Sequence, residues 1–128
     1  MRVILADDKA KVRSALRLLL EQQPGIEILG EAVDSTGLLD WVKVVCPDLV
    51  LLEWELPGLP AAALLPLIQY HCPHVRLMVM SSRPEVRREA LEAGADLFMS
   101  KGDPPERLLM ALEELNVTRT AEEKSCGP

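Results

Sequence analysis

Four consecutive apolar residues, Leu49-Val50-Leu51-Leu52, lie between two acids, Asp48 and Glu53. A turn built on Pro57-Gly58 follows directly. An apolar run with no polar alternation describes a strand covered on both faces, the usual condition in a parallel sheet. In open sheets of that kind the working site lies beyond the carboxyl ends of the strands. Glu53 stands at such an end, so this one segment restricts both the architecture and the place where chemistry belongs.

The rest of the chain repeats the alternation of strand and helix five times. Arg2 to Ala6 reads as a strand, followed by a helix over Lys9 to Gln22 whose inner face is Val12, Ala15, Leu16 and Leu19. Pro24-Gly25 stops that helix, and Ile26 to Ala32 is the second strand. Asp34 is placed to cap a helix that runs to about Val45, with Leu38, Leu39, Val42 and Val45 inward. After the third strand, a helix from Pro60 to His71 is apolar nearly all round; Pro66 is expected to kink it by removing the donor to the Ala62 carbonyl. Arg76 to Met80 is a fourth strand. Ser82-Arg83-Pro84-Glu85 reads as a capping box for a helix ending at Gly94. Leu97 to Met99 is a short fifth strand. Asp103-Pro104-Pro105-Glu106 opens a last helix with Leu108, Leu109, Leu112 and Leu115 inward. Five such units imply an α/β domain with helices on both faces of a parallel sheet. The domain is expected to span residues 1–116, and the polar stretch 117–128, without apolar period, reads as a tail or the start of a linker.

A chain of 128 residues is one domain with room for a real core. A formal net charge of −6 argues against a nucleic-acid surface on this domain. The apolar runs are too short for a bilayer, and Met1 leads straight into a charged residue and a strand, without a secretory apolar region. The expected location is the cytoplasm. Cys46, Cys72 and Cys126 form no CxxC pair, and free thiols are the expectation. Trp41 is expected to pack, and His71 and His74 to be surface loop residues.

Polar groups collect at the predicted strand ends. Asp7 and Asp8 follow the first strand, Glu53 ends the third, Ser81 and Ser82 follow the fourth and Lys101 follows the fifth. If the strands are neighbours, these groups converge. Carboxylates gathered in one small space repel and require a counter-charge, which a hard divalent cation such as Mg²⁺ or the Lys101 ammonium supplies.

From Val3 to about Leu115 the chain resembles the receiver domain of two-component response regulators. The resemblance is carried by Asp7-Asp8, by Asp48 through Gly58, by Met80-Ser81-Ser82, and by Gly94-Ala-Asp-Leu-Phe98-Met-Ser-Lys101. It implies a flavodoxin-like doubly wound fold, five parallel strands in the order 2-1-3-4-5 with five helices. It implies Mg²⁺ held by Asp7, Asp8, the carboxylate at position 53 and the backbone carbonyl of Glu55. Ser81 corresponds to the hydroxyl that moves to meet a phosphoryl group, Phe98 to the aromatic that turns inward with it, and Lys101 to the lysine that pairs with the phosphorylated carboxylate. The resemblance further implies a signalling module, not an enzyme. Its partner surface is the fourth helix, fifth strand and fifth helix, turned toward an output domain (a transcription factor above all) or toward a second copy, with a histidine kinase as phosphoryl donor.

Glu53 departs from the pattern, because the family carries aspartate as the phosphoacceptor. One added methylene carries the carboxylate outward by about 1.5 Å. A displacement of about 1 Å can cost on the order of a hundredfold in rate. Phosphorylation of Glu53 is therefore expected to be slow or absent. The longer side chain could instead fill a metal position, or pair with Lys101 and accept a bond from Ser81, imitating a phosphoryl group with one charge in place of about two. Two other classes share the architecture. A small-phosphate hydrolase would need a nucleophilic aspartate where Glu53-Trp54-Glu55 has only the spacing. A flavin carrier would need a Ser/Thr-rich loop where Asp7-Asp8 repels phosphate.

Overall fold

The structure is a computed structural model that describes the backbone of residues 1–126 and the side chains of residues 1–115. Five strands form one parallel sheet: β1 (Arg2–Ala6), β2 (Glu27–Ala32), β3 (Leu49–Glu53), β4 (Arg76–Ser81) and β5 (Leu97–Ser100), in the order β2-β1-β3-β4-β5. The helices are α1 (Ala10–Glu21), α2 (Ser35–Val45), α3 (Ala61–His71), α4 (Arg87–Glu92) and α5 (Pro105–Cys126). This is the expected flavodoxin-like doubly wound fold.

The middle strand is sealed as its composition requires, with every residue of β3 buried. Side chains alternate across a strand. Val50 and Leu52 join a core with Leu38, Val42, Leu64, Leu65 and Ile68 of α2 and α3. Leu49 and Leu51 join a second core with Val3, Leu5 and, from α1 and α5, Leu20, Leu108, Leu112 and Leu115. The inner face of α1 is narrower than expected. Leu20 is its buried residue, while Val12 and Ala15 line an open groove toward α5.

Local chemistry sets the other elements. The Asp34 side chain accepts from Gly37 N at 2.8 Å and caps α2. Trp41 packs on β2 at Gly30, where a Cβ would stand 2.3 Å from the indole, and its Nε1 donates to the Glu31 carbonyl. α3 runs through Pro66 as one helix. The turn after β3 is tied to the start of α2: Ser35 N donates to the Pro57 carbonyl, Leu59 N donates to Ser35 Oγ, and Gly58 adopts a φ of 106° against that hydroxyl.

Three expectations change. The Ser82 capping box does not form: Arg83 precedes a 3-10 turn at Pro84–Val86, without a side-chain cap, and α4 begins only at Arg87. Just before this turn the Arg83 N–H donates to Ser81 Oγ at 3.0 Å. Cys46 and Cys72 are not free thiols but a disulfide, with Cα atoms 5.5 Å apart. They end α2 and α3, two helices packed side by side on one face of the sheet, a proximity that a separation of 26 residues conceals. The stretch after residue 116, expected as a tail or linker without apolar period, is helical: α5 continues to Cys126, and no helix breaker interrupts Val117 to Cys126. The Cys126 side chain and residues 127–128 of the expected tail lie outside the described residues.

Candidate functional site

Strand parity gathers the site. Asp7 follows β1 on the parity of Val3 and Leu5, Glu53 ends β3 on that of Leu49 and Leu51, and Lys101 follows β5 on that of Met99. All three continue the face covered by α1 and α5. Their backbones are fixed by the sheet: Asp7 N donates to the Ala32 carbonyl, Trp54 N to the Met80 carbonyl and Lys101 N to the Ser81 carbonyl, each at 2.8 to 3.0 Å.

Two carboxylates therefore meet one ammonium in a nearly dry pocket. Asp7 is fully buried and Glu53 is 4% exposed. Lys101 Nζ lies 2.8 Å from Asp7 Oδ2 and is ion-paired with Glu53 Oε2. Asp7 Oδ1 accepts from Lys9 N at 2.8 Å, and Glu53 Oε1 accepts from Glu55 N at 3.4 Å. Burial opposes the charge on Lys101, but the hydrogen bonds and charges of Asp7 and Glu53 outweigh it and hold the ammonium above its ordinary lysine pKa. A buried ion pair is favourable only when the remaining hydrogen-bonding positions are also served. Here backbone N–H groups serve the outer oxygens.

The other expected residues lie nearby in different roles. Asp8 is exposed, and no hydrogen bond or ion pair ties it to a described residue. Ser81 is fully buried; its hydroxyl serves Arg83 N, and no bond from Ser81 to Glu53 is made. Glu55 turns its side chain out to Arg83 Nε at 2.6 Å. That pair is exposed and contributes little. Phe98 is half-buried against the α2–α3 core, on the face opposite the acids, and borders a groove with Leu91 and Met110. Arg13 was not singled out in the sequence. Its Nη1 donates to the Asp7 carbonyl at 2.7 Å and its Nε to Glu31 at 3.0 Å, so a second cation braces the acidic loop. Its position one turn into the helix after Asp7-Asp8 was the available signal.

The sequence profile of the response regulator receiver domain matches residues 3–113. Response regulator UvrY of Escherichia coli K12 is 26% identical over 117 residues, which are 90% of this chain and 54% of that protein. An uncharacterized transcriptional regulatory protein of Bacillus subtilis, YhcZ, is 30% identical over 111 residues, 85% of this chain and 52% of its own. The crystal structure of a LuxR-family two-component response regulator from Aurantimonas superposes with a TM-score of 0.82 at 28% identity, covering 89% of this chain and 83% of that one. The chain thus spans about half the length of the curated relatives it matches.

Receiver domains commonly bind Mg²⁺. The donors present here do not suit it as they stand. Asp7 Oδ2 and Glu53 Oε2 face the ammonium, Asp7 Oδ1 faces an amide, and no group of three or more His, Cys, Asp or Glu among the described residues is placed to hold a metal ion.

Proposed function

The chain belongs to the family of response regulator receiver domains, and on that footing we propose that it regulates its output without being phosphorylated. The observation that carries this reading is the Glu53–Lys101 ion pair. The carboxylate stands where the family places its phosphoacceptor, and it is already joined to the lysine that would receive a phosphoryl group. A nucleophilic carboxylate must be free to reach its donor. Glu53 is 4% exposed and engaged at both oxygens, so attack would first require the pair to break.

The same contact favours one conformation. A permanent charge biases a two-state domain only through a difference in interaction between the states. Glu53 supplies that difference where it meets Lys101, at the junction of β5 and α5. The message then leaves through α4, β5 and α5, where Leu91 and Met110 are exposed beside Phe98. Response regulators work with histidine kinases and output domains; for this chain we take the output to be transcriptional, in keeping with its likeness to YhcZ. No helix among the described residues is long and apolar enough to cross a membrane, which suits the cytoplasmic setting we assign. We assign no catalysis, because both buried carboxylates are spent on structure.

Incubation with acetyl phosphate and Mg²⁺ followed by intact mass measurement tests the proposal. The expected spectrum is that of the unmodified chain, whereas Glu53→Asp is expected to gain an adduct. A stoichiometric phosphoryl adduct on Glu53 overturns it.

A further inference from the structure

The charge balance of the rim goes further. Asp7 and Glu53 bring two buried negative charges to one point. They are met by the Lys101 ammonium; the Arg13 guanidinium nearby bonds the Asp7 backbone carbonyl at 2.7 Å and is ion-paired with Glu31. The ammonium bridges the two carboxylates and supplies the positive charge they need. We propose that Lys101 is a built-in replacement for the metal: the domain is complete without Mg²⁺ and does not bind it in the millimolar range.

Three features support this. The first is reach. Glu53 is one methylene longer than the family's aspartate, and it meets the ammonium directly. The second is mounting. Lys101 sits within a turn closed on itself, with Ser100 N donating to Asp103 Oδ2 at 3.1 Å and Asp103 N donating to the Ser100 carbonyl at 3.0 Å. Lys101 N is held on β4 as well. A preorganised group loses little further freedom on pairing, while a metal ion must be taken from solution and stripped of water. The third is coordination. Mg²⁺ demands near-octahedral oxygen ligands at about 2.0–2.1 Å. Asp8, which would supply one, is exposed, and the inner oxygens of Asp7 and Glu53 face nitrogen.

The inference rests on the proposed function only in treating Glu53 as a permanent carboxylate, and the tests separate the two. Wild-type protein is titrated with MgCl₂ through the millimolar range against KCl of equal ionic strength. Trp54 fluorescence and thermal midpoint are read, since the half-buried Trp54 adjoins Glu53. Both are expected to follow the KCl control. Lys101→Met is expected to acquire a saturable response and a midpoint that rises with Mg²⁺, because the two carboxylates then lack a cation. Saturable binding by the wild type overturns the inference, and does so without touching the proposed function if no adduct forms on Glu53. A folded Lys101→Met protein that ignores Mg²⁺ overturns it as well, since the ammonium would then not be what excludes the metal. Should that variant fold only with Mg²⁺ present, the rescue supports the inference; should it fold under neither condition, the wild-type titration decides.

Discussion

Replacing Lys101 with methionine keeps most of the length of the side chain and removes its charge. What remains is Asp7, with a side chain 1% exposed, facing Glu53, with a side chain 5% exposed. Removing one partner of a fully buried ion pair costs about 3–5 kcal/mol, because the other charge is left uncompensated. Lys101 is 19% exposed, so water can enter beside the new side chain and relieve part of that penalty. We take about 2–4 kcal/mol as the expected loss, a large part of the roughly 5–15 kcal/mol that holds a domain together. For a chain of this size that is a fall of roughly 10 °C in midpoint. The assay is urea denaturation at neutral pH without divalent cations, run as a double-mutant cycle with Glu53→Gln. The double variant retains a single buried carboxylate, so the two losses should fall short of additivity by at least about 1 kcal/mol. A Lys101→Met protein within about 0.5 kcal/mol of wild type, the range of ordinary surface changes, would refute the reasoning. Strict additivity in the cycle would do the same.

Further predictions concern titration, covalent bonding and packing. The folded pKa of Lys101 is raised above its ordinary 10.5, so its stabilisation is complete below that value and is lost as pH climbs through the folded pKa. The stability difference between wild type and Lys101→Met should accordingly stay flat from pH 7 to about 10 and shrink above it; a difference that grows in alkali contradicts the ion pair. Reduction of the Cys46–Cys72 bond, which encloses β3 and all of α3, should lower stability by about 3–4 kcal/mol on loop-entropy grounds, seen as a drop in midpoint when a phosphine reductant is added. An unchanged midpoint, with thiol titration proving reduction, counts against it. Gly30→Ala should cost about 1–3 kcal/mol and alter Trp41 emission, because the new methyl cannot coexist with the indole where it lies; an unperturbed spectrum would show the ring free to move aside.

Much of this arrangement was legible in the chain because period and parity act locally. The unbroken apolar run of β3 announced a strand covered twice, and the same alternation carried on past each strand end brings Asp7, Glu53 and Lys101 to one face. The Asp34 cap needed only its own turn to be recognised. What escaped depends on competition or on distance. The Ser82-to-Glu85 pattern did not yield a cap: the chain starts a 3-10 turn at Pro84 with Arg83 before it, and the Arg83 amide goes to the buried Ser81 hydroxyl. The disulfide depends on two helix ends becoming neighbours, which spacing along the chain cannot express. Arg13 reads as one more charge on a helix until the loop before it folds back to place the Asp7 carbonyl within reach. Glu53 was visible as an anomaly, and Lys101 was legible as the cation it could pair with, because strand parity puts both at the same rim.

The disulfide lies where β3 begins and Glu53 where it ends, so the two are separated by the whole strand, roughly 16 Å at the usual rise. Cys46 is exposed at its pole, and Lys101 is reached from the other. Reducing agents and ionic conditions should thus act on opposite caps of the molecule, and their effects on unfolding should simply sum. A thiol-specific dye placed at Cys46 after reduction would watch the domain open and close while leaving the acidic cap undisturbed.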